Sequence, residues 1–156
     1  MTTQTAHPPI HAGEAVTDEL ARLLADTYTL YGKTHGYHWN VIGPNFRSLH
    51  LMFEEQYIEL VAAIDVIAER IRALGPFAPG SLRGMGRLAS VEDDDTAPEA
   101  TDMVCRLIEA HEVVIRTARA VLRAAEAADD PVTVDLATER ITVHEKTLWM
   151  LRATAA

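Results

Sequence analysis

Five side chains of the types that coordinate transition metals lie within 32 consecutive residues of this chain. They are His38, His50, Glu54, Asp65 and Glu69. Neutral imidazole and carboxylate groups together are typical ligands of first-row metal ions. The first of them stands in the segment HGYHWNVIGPNF, residues 35–46, whose Gly-Pro break predicts a corner between two helices. The spacing of the other four decides what they can bind.

Four of the five candidates belong to the predicted second helix. At 100° per residue the pairs His50/Glu54 and Asp65/Glu69 lie on one side of that helix, and each pair spans one turn. About 15 residues separate the two pairs, which is ~22 Å at a rise of 1.5 Å per residue. Because metal–ligand bonds measure ~2–2.6 Å, one ion cannot be held by both ends of the same helix.

Between these polar pairs, the same side of the helix carries Ile58, Val61 and Ala62. Polar ends with an apolar centre predict a contact face. If a second copy packs antiparallel across this face, residue 50 of one chain meets residue 69 of the other, and two shared metal sites result from one twofold operation. His38 can lean from the corner towards the first pair. Alternatively, the two polar pairs belong to an ordinary solvated face of the helix, and His38 is a hydrogen-bonded residue of the corner without a metal.

The donor set limits the choice of metal. Mixed nitrogen and oxygen ligands suit iron better than calcium or magnesium, while zinc, manganese and cobalt also bind such sets. A di-iron site inside one bundle needs a Glu-x-x-His motif, and no glutamate of this chain has a histidine three residues later. The sequence therefore predicts a site between chains rather than within one.

The elements that must position these residues are all helical. Residues 1–16 predict a flexible N-terminal tail, in which His7 and His11 are ordinary tail residues or, alternatively, collect a transition metal. Residues 17–156 predict one domain of four helices, 17–37, 45–74, 99–128 and 131–154. The connection of about 24 residues after Leu74 can reach beyond ~40 Å at ~3.3 Å per residue. Its length favours a ferritin-like four-helix bundle whose single long crossover has room for one short helix.

Composition excludes several classes of protein. With 14 basic and 23 acidic residues the net charge is −9, which opposes binding to nucleic acid and to anionic membranes. No apolar run approaches the ~18–20 residues that cross a bilayer, and no signal-peptide core is present, so a cytoplasmic location is expected. The single Cys105, within MVCRLI, predicts a buried structural thiol.

Longer motifs carry a family resemblance. The pattern H-W-N-V-x-G-x-x-F-x-x-L-H-x-x-F-E at 38–54, D-x-x-A-E-R-I at 65–71, RALG at 72–75 and HEKTLWMLR at 144–152 closely resemble the Dps family of mini-ferritins. This resemblance implies a hollow homododecamer with ferroxidase activity at sites between twofold-related chains. Hydrogen peroxide would be the favoured oxidant, ferric iron would be stored inside, and the cell would be protected from oxidative damage.

The same resemblance implies that the ferroxidase ligands are the five residues described first: His38, His50, Glu54, Asp65 and Glu69. Glu54 departs from the pattern, because many members have Asp there; we expect altered reach rather than lost function. Trp39 would quench stray oxidising equivalents or act as a packing aromatic. Acidic residues near the last interhelical turn would line a pore that admits Fe(II), or, at the turn itself, cap the following helix. They are Asp129, Asp130, Asp135 and Glu139.

Two other functions compete with this interpretation. Some family members bind DNA through basic tails, but here no basic residue precedes Arg22 and only ATAA follows Arg152, so DNA binding is expected to be weak. The second competitor is a helical scaffold whose metal sites are merely structural. His111 and His144 lie on later helices without metal-like spacing and are interpreted as structural residues.

Overall fold

The computed structural model describes residues 13–156 and contains no strand within them. Predictions that concern residues 1–12, including His7 and His11, lie outside the described residues. The helices are α1 (Glu14–Asn40), α2 (Phe46–Ala73), α3 (Leu82–Leu88), α4 (Ala100–Ala127) and α5 (Pro131–Ala155). Four long helices and a crossover with one short helix confirm the predicted all-α bundle. Within this range no helix has an apolar stretch long enough to span a membrane.

Both ends of α1 extend beyond their predicted positions. The helix begins three residues before the predicted start at residue 17. Gly13 is the N-cap, and its carbonyl accepts from the backbone N–H of Val16. Val16 is fully buried, so the added turn places another apolar side chain in the core. At the other end the helix continues past Tyr37 to Asn40. His38 is therefore a helical residue.

The bundle is built from two helical hairpins. Helix α1 packs on α2 and on α4, α4 packs on α5, and α3 lies against α1. Alternating spacings of three and four residues predict an apolar seam along α2. This seam faces the core, with Phe53, Leu60, Ile67, Ile71 and Leu74 buried. Tyr57 and Ile64 of the same seam are half-buried. Helices α2 and α5 approach each other least among the long helices that touch.

A buried carboxylate anchors the crossover. Asp26 of α1 is fully buried and accepts hydrogen bonds from the backbone N–H groups of Ser90 (2.5 Å) and Val91 (2.9 Å). It also accepts one from the Thr117 hydroxyl of α4 at 2.6 Å. One side chain thus connects α1, the crossover and α4, and these hydrogen bonds satisfy its buried carboxylate.

A second cluster fixes the crossover nearer the start of α4. Asp94 accepts from the Tyr37 hydroxyl and from Arg106 at 2.7 Å. Burial alone would raise the pKa of Asp94, but hydrogen bonds from Thr96, Tyr37 and Arg106 hold that pKa well below its usual range. Burial and the bond to Asp94 raise the pKa of Tyr37. The crossover is therefore held by two acidic anchors.

His111 and His144 form one buried pair, which agrees with a structural role. Arg140 donates to His144 Nε2 at 3.1 Å, and the two imidazole Nδ1 atoms lie 2.9 Å apart. Because an arginine can only donate, His144 Nε2 is the acceptor and His144 Nδ1 carries the proton. His111 Nδ1 accepts that proton's hydrogen bond, so both rings are neutral and fixed in one tautomer.

This pair makes the stability of the protein depend on pH. Burial, reinforced by the charge of Arg140, lowers the pKa of His111 to about 3, and burial also lowers the pKa of His144. The unfolded chain protonates both rings below about pH 6.5, whereas the folded chain does not. Between pH 6.5 and 5 the free energy of unfolding should fall by up to about 1.4 kcal/mol per pH unit for each ring. Denaturant titrations at several pH values measure this slope.

The matched control for this slope is a variant with His111→Gln and His144→Gln. Glutamine keeps polar groups at both positions but does not titrate. The unfolding free energy of the variant should therefore change less than that of the wild type over the same pH range. Equal slopes in the wild type and the variant would contradict the assignment of the pH dependence to this pair.

The prediction of a buried Cys105 is wrong, because the thiol is exposed. Apolar neighbours on both sides suggested a helix interior. On α4, however, Met103, Val104 and Leu107 face the core, and the helical period turns Cys105 away from them. The burial of a helical side chain is therefore predicted better by the face of the helix it occupies than by its neighbours in the sequence.

Candidate metal centre

The corner between α1 and α2 brings two of the five candidate ligands together. His38 lies in the last turn of α1, and His50 lies in the second turn of α2. Between them Gly43 adopts φ +110°, a conformation that favours glycine, and its carbonyl accepts from the N–H of Phe46. The reversal stacks the two imidazole rings with their centroids 3.8 Å apart.

The two rings are held by reciprocal hydrogen bonds to the backbone. His38 Nδ1 lies 2.8 Å from the carbonyl oxygen of His50, and His50 Nδ1 lies 2.7 Å from that of His38. A carbonyl oxygen can only accept, so each Nδ1 carries a proton and each Nε2 keeps its lone pair in the neutral ring. Metal-ligating histidines typically use this arrangement, in which one ring nitrogen is anchored and the other coordinates.

Aromatic rings surround the pair. Tyr57 of α2 lies edge-on to His38 at 5.1 Å between centroids. The His35 ring lies tilted against those of Tyr57 and Trp39, with centroid distances of 4.2 Å and 4.1 Å. Burial, together with the nearby His38, lowers the pKa of His35. His35 was not predicted as a site residue, although its position three residues before His38 places both on one side of a helix. Trp39 itself is mostly exposed.

The three carboxylates are distributed as the helical spacing requires. Glu54 is half-buried one turn after His50, whereas Asp65 and Glu69 are exposed towards the far end of α2. Within residues 13–156 of one protomer, no three His, Cys, Asp or Glu side chains are placed to hold one ion. A single chain therefore brings His38 and His50 together but does not join them with Asp65 and Glu69.

An apolar surface occupies the outer side of α2 between these groups. Ile58 is 57 % exposed and Val61 is 45 % exposed in the protomer, and Ala62 is exposed as well. Val66 adds a further exposed apolar side chain. Isolated apolar residues are common on protein surfaces, but several along one helix face mark an interaction surface.

The acidic residues near the turn between α4 and α5 divide into two groups. Asp130 is the N-cap of α5; its buried carboxylate accepts from Thr133 N–H at 3.0 Å and from Arg70 at 2.9 and 3.1 Å. Burial opposes ionisation, yet these bonds lower the pKa of Asp130. The capping alternative is therefore the one that the structure shows for Asp130. Asp129, Asp135 and Glu139 are exposed.

Comparisons with known proteins agree with this architecture. The family model described as a ferritin-like domain matches residues 17–156. A low temperature-induced protein of Nostoc is 43 % identical over 90 % of this chain and 79 % of its own length. DNA protection during starvation protein 2 of Bacillus anthracis is 35 % identical over 88 % of this chain and 94 % of its own.

Among solved structures, the Dps protein of Vibrio cholerae, described as a member of a superfamily of ferritin-like diiron-carboxylate proteins, is 31 % identical. It aligns with a TM-score of 0.87 and covers 90 % of this chain and 89 % of that one. A domain match over nearly the whole described chain and these relatives lead to one conclusion. The chain belongs to the Dps family of ferritin-like proteins.

Proposed function

We propose that this protein is a ferroxidase that oxidises Fe(II) at sites shared between two antiparallel copies of α2. Each site takes His38, His50 and Glu54 from one protomer, and Asp65 and Glu69 of the partner subunit. The observation that carries the proposal is the pair of reciprocal hydrogen bonds between each histidine Nδ1 and the other's carbonyl. They leave two Nε2 lone pairs at one corner, and within residues 13–156 neither Nε2 atom is hydrogen-bonded.

The twofold arrangement follows from distance and burial. The histidine corner and the Asp65/Glu69 pair are ~22 Å apart along one helix, so only a second chain can supply the missing carboxylates. Ile58 and Val61 lie between the two ends and are exposed in the protomer. Packing two such faces antiparallel buries this apolar surface and forms two identical sites at once.

The proposed chemistry balances with two Fe(II) ions and one hydrogen peroxide. Each Fe(II) loses one electron, the O–O bond breaks, two protons are taken up and two water molecules form. A single Fe(II) would deliver only one electron and release a hydroxyl radical. Iron is the substrate of this reaction. Its storage as a ferric mineral requires a closed protein shell. We infer that this shell is a dodecamer and that it is located in the cytoplasm. Protection from oxidative damage follows from removing both reactants.

Two further groups have supporting roles in this proposal. Asp129, Asp135 and Glu139 are exposed and carry negative charge, which suits a pore that attracts Fe(II). We assign Asp130 to capping rather than to this pore, because its carboxylate accepts from Arg70 and from Thr133 N–H. Trp39 lies beside His35, close enough to the site to donate an electron to a stray oxidant.

The test is a titration under anaerobic conditions. Fe(II) is added to the assembled protein, followed by peroxide, while ferric absorbance and a hydroxyl-radical spin trap are monitored. We expect one peroxide consumed for two Fe(II), little radical adduct, and slower oxidation when oxygen replaces peroxide. Fe(II) without protein provides the control. A one-to-one stoichiometry with as much adduct as in the control would contradict paired oxidation.

DNA binding at physiological salt is expected to be weak. The net charge of −9 repels phosphate, and binding through tails requires lysine or arginine side chains that release counterions. In a gel-shift assay at about 150 mM salt the assembled protein should not retard duplex DNA. A variant with Thr2→Lys, Thr3→Lys and Thr5→Lys should gain salt-sensitive binding. Tight retention of DNA by the wild type would favour the nucleoid-protein alternative.

A further inference from the structure

A cleft of about 520 Å³ lies between α2 and α5. It exists because these two helices approach each other least among the long helices that touch. Its volume is in the range of sites that hold small organic molecules. Apolar atoms make up most of its surface, with side chains from Leu51, Met52, Leu60, Val143 and Met150, and Ser48 and Thr147 also line it. Methionine side chains adapt to ligands of different shape, so these walls suit an apolar group.

Two buried polar side chains line the same cleft without hydrogen-bond partners. Gln56 is 7 % exposed, and neither its Oε1 nor its Nε2 has a partner among residues 13–156. His111 is 2 % exposed, and within the same range its Nε2 also has none. Buried polar groups are normally satisfied, so two unsatisfied ones in one cavity indicate that something else occupies it.

The hydrogen-bond chain defines what these groups offer. Arg140 donates to His144, and His144 Nδ1 donates to His111 Nδ1, so the proton of the neutral His111 ring resides on Nε2. His111 therefore presents one N–H donor to the cleft. Gln56 presents both N–H donors and a carbonyl acceptor. A complementary ligand needs an acceptor for His111 and both an acceptor and a donor for Gln56.

Charges around the cleft favour a neutral ligand. Glu59 forms a two-point ion pair with Arg140, so these opposite charges compensate each other. The other charged residues of the lining are Glu55 and Lys146, which are exposed and of opposite sign. A charged head group would lose its hydration beside Gln56 and His111 without gaining a counter-charge.

We infer that the cleft between α2 and α5 binds a small neutral molecule that carries a carboxamide head on an apolar body. The ligand carbonyl accepts from His111 Nε2–H and from the Gln56 amide, and the ligand N–H donates to Gln56 Oε1. The apolar body lies against Met52, Met150 and their neighbours. This site shares none of the five proposed iron ligands, so it does not depend on the proposed ferroxidase activity.

Benzamide is the simplest probe with this chemistry, and benzoate is its charged counterpart of the same shape. Saturation-transfer NMR and calorimetry on the assembled protein should show saturable binding of benzamide, with benzoate at least about tenfold weaker. Gln56→Leu should weaken benzamide binding by about tenfold, since two hydrogen bonds are lost. Asp102→Asn, a change at an exposed residue of α4 outside the cleft, should leave it unaltered. Iron oxidation should be unchanged in Gln56→Leu.

Several results would overturn this site. They are non-saturable binding of benzamide, equal affinity of the wild type and Gln56→Leu, or benzoate binding as tightly as benzamide. An experimental structure with only ordered water on Gln56 and His111 after soaking would do the same. If Gln56→Leu lowers the helix content, Val143→Phe tests the site instead. This substitution narrows the cleft at its apolar wall and leaves both polar residues in place, so it should weaken the binding of benzamide.

Discussion

Mixed assemblies of two inactive variants are expected to recover about one quarter of the wild-type rate of iron oxidation. One parent carries His38→Ala and His50→Ala, and the other carries Asp65→Ala and Glu69→Ala. Each parent alone has no intact site and should lose at least about 100-fold in rate, because metal-ion catalysis needs its ligands. In a mixed dimer one of the two sites receives intact ligands from both chains. Random mixing makes about half of the dimers mixed.

The measurement is peroxide-dependent ferric absorbance of co-assembled subunits against each parent. Glu109→Ala with Glu126→Ala removes two exposed acidic side chains from α4 and is the charge-matched control; it should retain full activity. If the mixture stays as inactive as its parents, the site is not shared between chains. If the parents oxidise iron as fast as the wild type, the metal groups are structural and the scaffold alternative is favoured.

The Asp26→Ala variant should show the largest loss of stability among single substitutions in the crossover anchors. Removing this fully buried carboxylate leaves the N–H groups of Ser90 and Val91 without their acceptor. The Thr117 hydroxyl can still donate to the Val113 carbonyl oxygen. An unsatisfied buried donor costs about 1–3 kcal/mol, so a loss of about 2 kcal/mol is expected. For a domain of this size that corresponds to a decrease in Tm of about 4–8 °C.

Calorimetry of assembled protein at equal subunit concentration measures this decrease, since assembly makes Tm depend on concentration. Asp18→Ala is the matched control, because Asp18 is exposed on the same helix and should change stability by less than about 1 kcal/mol. Equal Tm values for the two variants would show that Asp26 does not anchor the crossover. Hydrogen exchange at Ser90 and Val91 should also increase in Asp26→Ala, because the crossover opens locally.

Much of the fold could be predicted because helical periodicity is a local property. The seam from Phe53 to Leu74 and the breaks at Gly43 and Gly75 located α2 to within a few residues, and Gly75 indeed adopts φ +118°. The length of the connection between α2 and α4 predicted a crossover. Periodicity did not reveal Asp26 or Asp94 as anchors, because it reports only on residues close together in the chain. The partners of Asp26 lie 64 or more residues away from it, and Tyr37 lies 57 residues away from Asp94.

The candidate site was predictable to the same degree. One-turn spacing on a single helix face identified His50, Glu54, Asp65 and Glu69, because an ideal helix converts sequence separation into angle and distance. Cys105 shows the limit of arguing from neighbouring residues alone, since its environment depends on the face it occupies. His35 was not predicted as a site residue, because it belongs to neither of the one-turn pairs on α2.

By itself the sequence determined the helices, the order in which they connect and the side of α2 that carries the metal-ligating groups, since all of these depend on residues close together in the chain. Only the tertiary structure decided that His38 and His50 anchor each other's Nδ1, that Asp130 caps α5 instead of remaining free, and that Gln56 and His111 line one cleft. These relations depend on how distant helices pack, and packing selects hydrogen-bond partners by position in space rather than by separation along the chain.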